Sequence, residues 1–237
     1  MENKIIVSGI EIEIVKKNIK NMHLYVLPPF GTVRISAPNS ASDDAIRLFA
    51  IKKISLVKKQ ITKFNDQQRQ TAREYISGES HYIWGRRYRL EIRHNNSANK
   101  VEIKGNKLIL TVREASTSQQ RENVINEWYR TQLKAKIPEY IQKWEEIIGI
   151  KISDFNVKDM KTKWGTCNIK DKRIWINLQL AKKPVECLEY VVVHELVHLL
   201  EKNHTPVFLE FMDKFLPNWR VTKDELNSFI MDGYIEE

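Results

Sequence analysis

The sequence predicts an α+β protein in which a strand-rich N-terminal region is followed by a small, mostly helical domain. In the first half of the 237-residue chain, apolar and polar residues alternate over short segments, as in half-buried strands. In the second half, apolar residues recur at helical spacing. One of these helical segments carries the pattern H-E-x-x-H within "VVVHELVHLLEKNH", which runs from Val191 to His204.

The N-terminal half is predicted to form strands around one helix. The segments "IIVSGIEIEIV", "MHLYVL" and "TVRISAP" alternate, with a turn at Pro28-Pro29-Phe30-Gly31, and we expect them to be antiparallel. The helix lies in "SASDDAIRLFAIKKISLVKKQITKF", which begins with capping residues. Its exposed face carries four lysines: Lys52, Lys53, Lys58 and Lys59. Four later segments predict a β meander that extends the same sheet: "HYIWG", "RYRLEIRH", "KVEIKG" and "KLILTV".

The polar segment "EASTSQQRE", residues 114–122, predicts helix caps and a domain boundary. We therefore expect a β-rich basic domain over residues 1–115 and a catalytic domain over residues 116–237. The formal charge is +10 in residues 1–115 and −1 in residues 116–237. Such a basic region can attract nucleic acid, an anionic membrane or an acidic protein, and a merely solvated basic surface is the simpler alternative.

The C-terminal half is predicted to contain a long amphipathic helix, three short strands and a buried helix. The apolar stripe of the first helix ends at Gly149, and Pro138 predicts a kink or a junction of two helices. The strands are expected in "DFNVKDM", "KTKWGTCNIK" and "RIWINLQLA". Pro184 suits the first position of the helix that follows. The sequence shows no internal repeats.

Composition restricts the class of protein. Hydrophobic residues make up 42% of the chain and charged residues 29%, as in soluble globular proteins. No apolar run approaches the roughly 20 residues of a membrane-spanning helix, and the N-terminus is typical of a strand instead of a signal peptide. Two cysteines alone predict no disulfide framework and favour a cytoplasmic location.

The H-E-x-x-H pattern predicts a metal site. His194 and His198 are four residues apart, so a helix presents both imidazoles on one face, where they can bind Zn²⁺. Glu195 lies beside the first ligand, where a general base is needed to take a proton from a metal-activated water. A buried helix with hydrogen-bonded histidines is the alternative, but burying three ionisable groups without a metal is costly.

Catalytic zinc sites usually have three protein ligands, and His204 is the expected third. On a continuous helix, His204 would be rotated about 80° from His194. We therefore expect the helix to end near Lys202 and Asn203 to turn the chain in a left-handed conformation. Pro206 opposes helix continuation. The rival third ligands are Glu201 and Glu210.

Several segments together resemble the YgjP-like metallopeptidase family, which is related to the SprT-like and other small zincins. They are "MKTKWGTCN", "IWINLQLAKKPVECLEYVVVHELVHLLEKNHTPVF", "FLPNW" and, in the N-terminal half, "FGTVRISAP" and "YISGESHYIWGRRYRLEI". The resemblance covers most of the chain. It implies a zincin-like metallopeptidase domain after a β-rich region, with ligands at His194, His198 and His204 and a general base at Glu195. Two departures, Leu209 and the segment "KKISLVKKQ", leave the metal site untouched.

The expected function is therefore a zinc metallopeptidase with one zinc ion per chain and a peptide or protein substrate. The alternative is a nucleic-acid-associated protein whose basic half binds nucleic acid while the peptidase acts on bound proteins. A structural zinc domain without turnover is the third hypothesis, against which the intact Glu195 argues. No membrane partner is expected.

In zincins, an edge strand beside the active-site helix binds an extended peptide, and the segments before the helix suggest such a strand. Gly165 would allow close backbone approach, and Asn168 and Asn177 are predicted to bind peptide groups. Trp164 is a further predicted substrate-binding residue, with core packing as the alternative. Four residues are candidates for stabilising the oxyanion: Tyr129, Arg130, Tyr190 and Asn203.

Overall fold

The computed structural model describes residues 3–27, 31–66, 73–95, 98–160 and 163–228, and Pro28, Pro29 and Phe30 of the predicted turn lie outside these ranges. The described residues form two compact units that divide between residues 70 and 71. The predicted α+β class is confirmed, because strands dominate the first half of the chain and helices the second. Residues 115 and 116 lie within the second unit, and the two-domain division there stays a prediction.

The first unit contains a four-stranded mixed sheet. Its strands are β1 (Asn3–Val7), β2 (Ile10–Lys17), β3 (His23–Leu27) and β4 (Thr32–Pro38). The strand order is β1-β2-β4-β3, and β2 pairs with β4 in parallel. The expectation of a wholly antiparallel arrangement is therefore wrong for this pair. Strand β4, the second strand of the β3–β4 hairpin, is the one that pairs with β2, and it runs in the same direction as β2.

Helix α1 (Asp43–Asp66) covers the apolar face of this sheet. The Ser42 hydroxyl accepts a hydrogen bond from the Ala45 backbone N–H and caps the first turn. Ile46, Ala50 and Val57 are fully buried against the apolar residues of the strands. The four lysines predicted on the outer face are exposed.

The second unit begins with another four-stranded sheet. Its strands are β5 (Ser80–Ile83), β6 (Arg86–His94), β7 (Lys100–Lys104) and β8 (Lys107–Val112). The order β5-β6-β8-β7, with β6 and β8 parallel, repeats the pattern of the first sheet. The expectation that these strands extend the first sheet is wrong. Each sheet buries its apolar face under a helix of its own unit, so neither needs the edge of the other.

Helix α2 (Ser118–Ile148) packs against the second sheet. Thr117 and Gln120 form a capping box at its start, as the polar segment predicts. Its buried residues form one stripe: Ile125, Tyr129, Leu133, Ile137, Ile141 and Trp144. The helix continues through Pro138, so two separate helices do not meet there. Pro138 has no backbone N–H to donate to the Lys134 carbonyl oxygen. Both residues are exposed, so water can form a hydrogen bond with that carbonyl.

A three-stranded sheet and three helices complete the second unit. The strands are β9 (Asp154–Lys158), β10 (Gly165–Asn168) and β11 (Arg173–Asn177), in the order β10-β11-β9. Residues Leu178–Lys182 form a 3-10 helix, where the sequence predicted a continued strand. The helices are α3 (Val185–Val197), α4 (Pro206–Phe215) and α5 (Trp219–Ser228).

The start of α3 is held by the β5–β6 hairpin. The Trp84 backbone N–H donates to the Ala181 carbonyl oxygen at 2.9 Å. Gly85 has a φ of +77° and contacts Pro184, where an added Cβ would lie 3.1 Å from the proline Cγ. The second sheet therefore fixes the segment from which α3 begins.

None of the helices in the described ranges combines the length and the apolar character that crossing a bilayer requires. Both cysteines are free thiols, with Cys187 buried and Cys167 half-buried.

Candidate metal centre

Helix α3 is buried on nearly all sides, and the H-E-x-x-H residues lie on its last turns. Its other buried side chains are almost all apolar, including Val191, Val192 and Leu196. His194 and His198 are half-buried, and their ring centroids lie 4.9 Å apart. The helical spacing of four residues therefore places both imidazoles together, as predicted.

The chain returns His204 to this pair. Helix α3 ends at Val197, earlier than the predicted end near Lys202. The Asn203 N–H donates to the Glu201 carboxylate at 3.2 Å, and the Thr205 N–H donates to the Asn203 carbonyl at 2.7 Å. Asn203 has no positive φ, so the expected left-handed conformation is wrong. A tight turn of the γ type and the Glu201 carboxylate reverse the chain instead.

The three histidines form one cluster of potential metal ligands. One ring nitrogen from each lies within 4.8 Å of the other two, and Nε2 of His194 is 3.0 Å from Nε2 of His204. A tetrahedral zinc ion with Zn–N bonds of about 2.0–2.1 Å separates two such nitrogens by roughly 3.3 Å. Three imidazoles at this spacing match the donors that zinc prefers. The residues therefore fit a zinc ion.

Burial keeps these imidazoles neutral, which is the form that binds a metal. Burial lowers the pKa of His194 to about 3, with the neighbouring histidines adding to the effect. Burial also lowers the pKa of His198 and of His204. At neutral pH the site therefore offers three uncharged ligands.

Two contacts orient the rings. Nδ1 of His198 lies 3.3 Å from the Glu201 carbonyl oxygen, and this contact directs Nε2 towards the cluster when Nδ1 carries the proton. Phe208 is fully buried, and its ring centroid lies 4.8–5.0 Å from those of His194, His198 and His204. Thr205 caps α4 and Pro206 opens it, which brings Phe208 under the three rings. Phe208 is a supporting residue that the histidine motif alone did not indicate.

Glu195 is separate from the ligand cluster and is 5% exposed. Its carboxylate lies against Gly165, where an added Cβ would be 2.5 Å from Oε1 and 2.8 Å from Cγ. Burial raises the pKa of Glu195 to about 8, and the charge of Lys163 opposes this shift. The close approach that Gly165 permits is thus to the Glu195 side chain.

The other predicted substrate-binding residues have structural contacts. Asn177 is fully buried, and its amide donates to the backbone carbonyls of Met160 at 2.8 Å and Lys163 at 2.7 Å. The amide of Asn168 donates to Asp171 at 2.7 Å, within the β10–β11 turn. Trp164 is 7% exposed. These contacts place Asn177 and Asn168 in the scaffold of β10. Gly165 lies directly against Glu195.

The alternative third ligands and the oxyanion candidates differ in their distance from the cluster and in their contacts. Glu201 directs its carboxylate to Asn203, and Glu210 is exposed on α4; neither belongs to the ligand cluster. Tyr129 donates to the Tyr82 carbonyl at 2.7 Å, and Arg130 donates to the Val157 carbonyl. The ring centroid of Tyr190 lies 5.8 Å from that of His194. Among the oxyanion candidates, Tyr190 has a direct ring contact with the cluster.

The chain is similar to known metallopeptidases. A family model described as YgjP-like, metallopeptidase domain, matches residues 20–229. The crystal structure of the metallopeptidase zymogen of Pyrococcus abyssi abylysin is 16% identical, with a TM-score of 0.38, over 42% of this chain and 99% of that chain. The zymogen of Methanocaldococcus jannaschii jannalysin is 24% identical, with a TM-score of 0.34, over 39% of this chain and 92% of that chain. No curated protein matches the sequence.

The contact between Gly165 and Glu195 can be tested by a double-mutant cycle. Gly165→Ala should lower the free energy of unfolding by about 1–3 kcal/mol, because the new methyl group overlaps the Glu195 side chain. In a Glu195→Ala background the same change should cost close to nothing, because the overlapping atoms are gone. Urea denaturation of the four metal-free proteins measures both values. Additive effects would show that the two side chains do not compete for space.

The third ligand can be tested by metal binding. His204→Ala should weaken zinc affinity by more than about 100-fold, because even outer contacts of a ligand typically contribute 10–100-fold. Glu201→Gln and the exposed His94→Ala should leave the affinity unchanged. Competition titration with a chromogenic chelator measures all three. Loss of affinity in Glu201→Gln with no loss in His204→Ala would assign the third position to Glu201.

Proposed function

Because the chain belongs to the YgjP-like metallopeptidase family, we propose that it is a zinc-dependent peptidase with Glu195 as its general base. The observation that carries the proposal is the cluster of His194, His198 and His204 beside the buried Glu195 carboxylate. The three imidazoles would hold one zinc ion per chain. When bound, zinc supplies Lewis-acid chemistry that activates water and polarises a carbonyl group.

An open site supports a catalytic instead of a structural role. A structural zinc ion is usually enclosed by four protein ligands, whereas a catalytic site keeps one position free. Among the residues that the structure describes, three histidines form the cluster, and His204 is exposed. Substrate therefore has access to the side of the site that His204 lines.

Glu195 is positioned for proton transfer. Its carboxylate takes a proton from water as the water oxygen attacks the carbonyl carbon, and then donates that proton to the leaving nitrogen. The contact with Gly165 restricts the rotamers of the side chain. The residue is thereby held in one orientation before substrate binds.

The edge position of strand β10 favours a peptide as the substrate. Among the described strands it pairs with β11 alone, so its other edge offers backbone hydrogen-bonding groups next to Glu195. An extended peptide can add to such an edge as a further strand. Asn177 and Asn168 stabilise the backbone of this edge at its two ends. The two free thiols are consistent with action in the reducing cytoplasm.

Nucleic-acid association is the second candidate, and the outer face of the second sheet favours it. Six cations lie on this face: Arg87, Arg89, Arg93, Lys100, Lys104 and Lys107. The register places Arg89 beside Lys107, which lies beside Lys104. Glu91 and Glu102 each form ion pairs with two of the cations, which leaves the face with net positive charge. Such a face can attract the phosphate backbone and bring the peptidase to bound proteins.

The general-base role predicts that Glu195→Gln lowers the rate of peptide hydrolysis by about 10²–10⁴-fold, because the amide cannot accept the proton. Zinc content should stay at about one ion per chain. Turnover of a quenched peptide library and metal analysis of the same samples measure both. The exposed Glu210→Gln is the matched control and should retain full activity. Undiminished hydrolysis by the metal-free protein would contradict the proposal.

The nucleic-acid candidate predicts salt-dependent binding to a short labelled DNA duplex. Replacing Arg87 and Arg89 together by Gln should reduce the slope of log affinity against log salt by about 2, because each phosphate contact contributes roughly 1. The exposed Lys134→Gln on α2 should leave the slope unchanged. Fluorescence anisotropy measures the slope. Absence of binding at low salt rejects the candidate.

A further inference from the structure

The ring of His194 lacks the hydrogen bond that usually orients a metal-ligating histidine. Such a residue almost always donates its second ring N–H to a carboxylate or a carbonyl oxygen. Within the described ranges, Nδ1 of His194 is shielded from solvent and has no hydrogen-bond partner, whereas its Nε2 lies in the cluster. His198 differs, because its Nδ1 lies 3.3 Å from the Glu201 carbonyl oxygen. Other contacts must therefore hold the His194 ring.

Phe208 fills one side of the histidine cluster. The centroids of the three imidazoles lie 4.9 Å from one another, and the Phe208 centroid lies 4.8–5.0 Å from each of them. The four rings thus form a compact, nearly regular tetrahedron, at separations that favour aromatic contacts. Because Phe208 is fully buried, it has little room to move. A tilt of the His194 ring towards that side is therefore blocked.

Tyr190 borders the His194 ring as well. It lies four residues earlier on α3, so both side chains share one face of the helix. The two ring centroids are 5.8 Å apart and the ring planes are inclined by 60°, which is an edge-to-face contact. Tyr190 is 6% exposed. Two aromatic side chains, one from α3 and one from α4, therefore confine the ring of His194.

The segment "FLPNW", which has no part in the proposed proton transfer, supports Tyr190. Its last residue, Trp219, stacks on Tyr190 with a centroid distance of 6.3 Å and an angle of 6° between the rings. The Trp219 indole N–H donates to the Asp213 carboxylate on α4 at 2.8 Å, and Arg220 forms an ion pair with the same carboxylate. Helix α4 thus carries Phe208 and also anchors the tryptophan that packs on Tyr190.

We propose that Phe208 and Tyr190 are positioning residues of the metal site, which hold His194 in its ligating orientation by aromatic packing in place of a hydrogen bond. This role rests on the zinc-binding part of the proposed function. It goes beyond that function, because it gives two side chains outside the ligand set control over zinc affinity. Packing lacks the directionality of a hydrogen bond, so the orientation of His194 depends on the shape of both rings.

Zinc affinity tests the two positioning residues. Phe208→Leu and Tyr190→Leu should each weaken the affinity by about tenfold, as loss of an outer-shell partner does, because the His194 ring gains freedom. Tyr190→Phe should retain the affinity of wild type, since it keeps the ring and removes only the hydroxyl group. Competition titration with a chromogenic chelator measures the affinities.

Met212→Ala is the matched control for a merely structural role. Met212 is fully buried on α4, one turn after Phe208. Its truncation should lower the free energy of unfolding but leave zinc affinity within about twofold of wild type, because it removes no aromatic ring. An equal loss of affinity in Met212→Ala and Phe208→Leu would overturn the positioning role, because destabilisation alone would then explain the loss.

A spectroscopic signature tests the absence of the hydrogen bond in the wild type, where folding of a variant is not at issue. In proton–nitrogen correlation spectra of the zinc-loaded, isotopically labelled protein, the Nδ1 proton of His194 should resonate upfield of that of His198. The reason is that a hydrogen bond moves an imidazole proton downfield. Nuclear Overhauser contacts with Tyr190 and Phe208 assign the signal. An Nδ1 proton as far downfield as that of His198 would overturn the positioning role, because a hydrogen bond would then orient the ring.

These measurements are independent of turnover. If the zinc-loaded wild type hydrolyses no peptide, the peptidase proposal fails, while the affinities and the Nδ1 proton still decide the role of the two rings. If it hydrolyses peptides but Phe208→Leu and Tyr190→Leu bind zinc as tightly as wild type, the positioning role fails and the peptidase proposal stands.

Discussion

The burial of the Glu195 carboxylate against Gly165 is the constraint on which the site depends. Burying a carboxylate on an apolar helix is costly. The Glu195 side chain lies so close to β10 that the strand residue facing it, Gly165, has no room for a Cβ. Helix α3 and β10 must therefore stay in one register, because any slip replaces Gly165 with a larger residue. Asn177 maintains that register by binding the backbone on which Gly165 lies.

The clustering of the three histidines could be predicted because it depends on short-range geometry. The spacing of His194 and His198 places them together on any α-helix, and His204 follows after a forced chain reversal. The form of that reversal could not be predicted. Asn203 suggests a left-handed turn, but its φ is not positive, and its N–H donates to the nearby Glu201 carboxylate. Phe208 was also missed, because its contacts depend on the direction of α4.

The strands could be predicted from their alternation, but their partners could not. Period-two patterning indicates which side chains are buried and carries no information on whether β2 meets β4 in parallel. Nor does the sequence show that the strand order β1-β2-β4-β3 recurs as β5-β6-β8-β7, because the strands of the two sheets have different amino-acid sequences. Asn177 illustrates the same limit. Its polarity suggested a contact with a peptide substrate, but the side chain is fully buried and its amide donates to backbone carbonyls.

The hydrogen bond from Trp84 to Ala181 and the contact of Gly85 with Pro184 bear on how a minimal catalytic fragment is made. A fragment cut at the composition boundary would keep the three clustered histidines yet leave the Ala181 carbonyl without the Trp84 donor and Pro184 without its contact with Gly85. The β5–β6 hairpin therefore acts as an intramolecular clamp on the active-site helix. A catalytic fragment of this chain should therefore begin upstream of that hairpin, at the boundary between the two units.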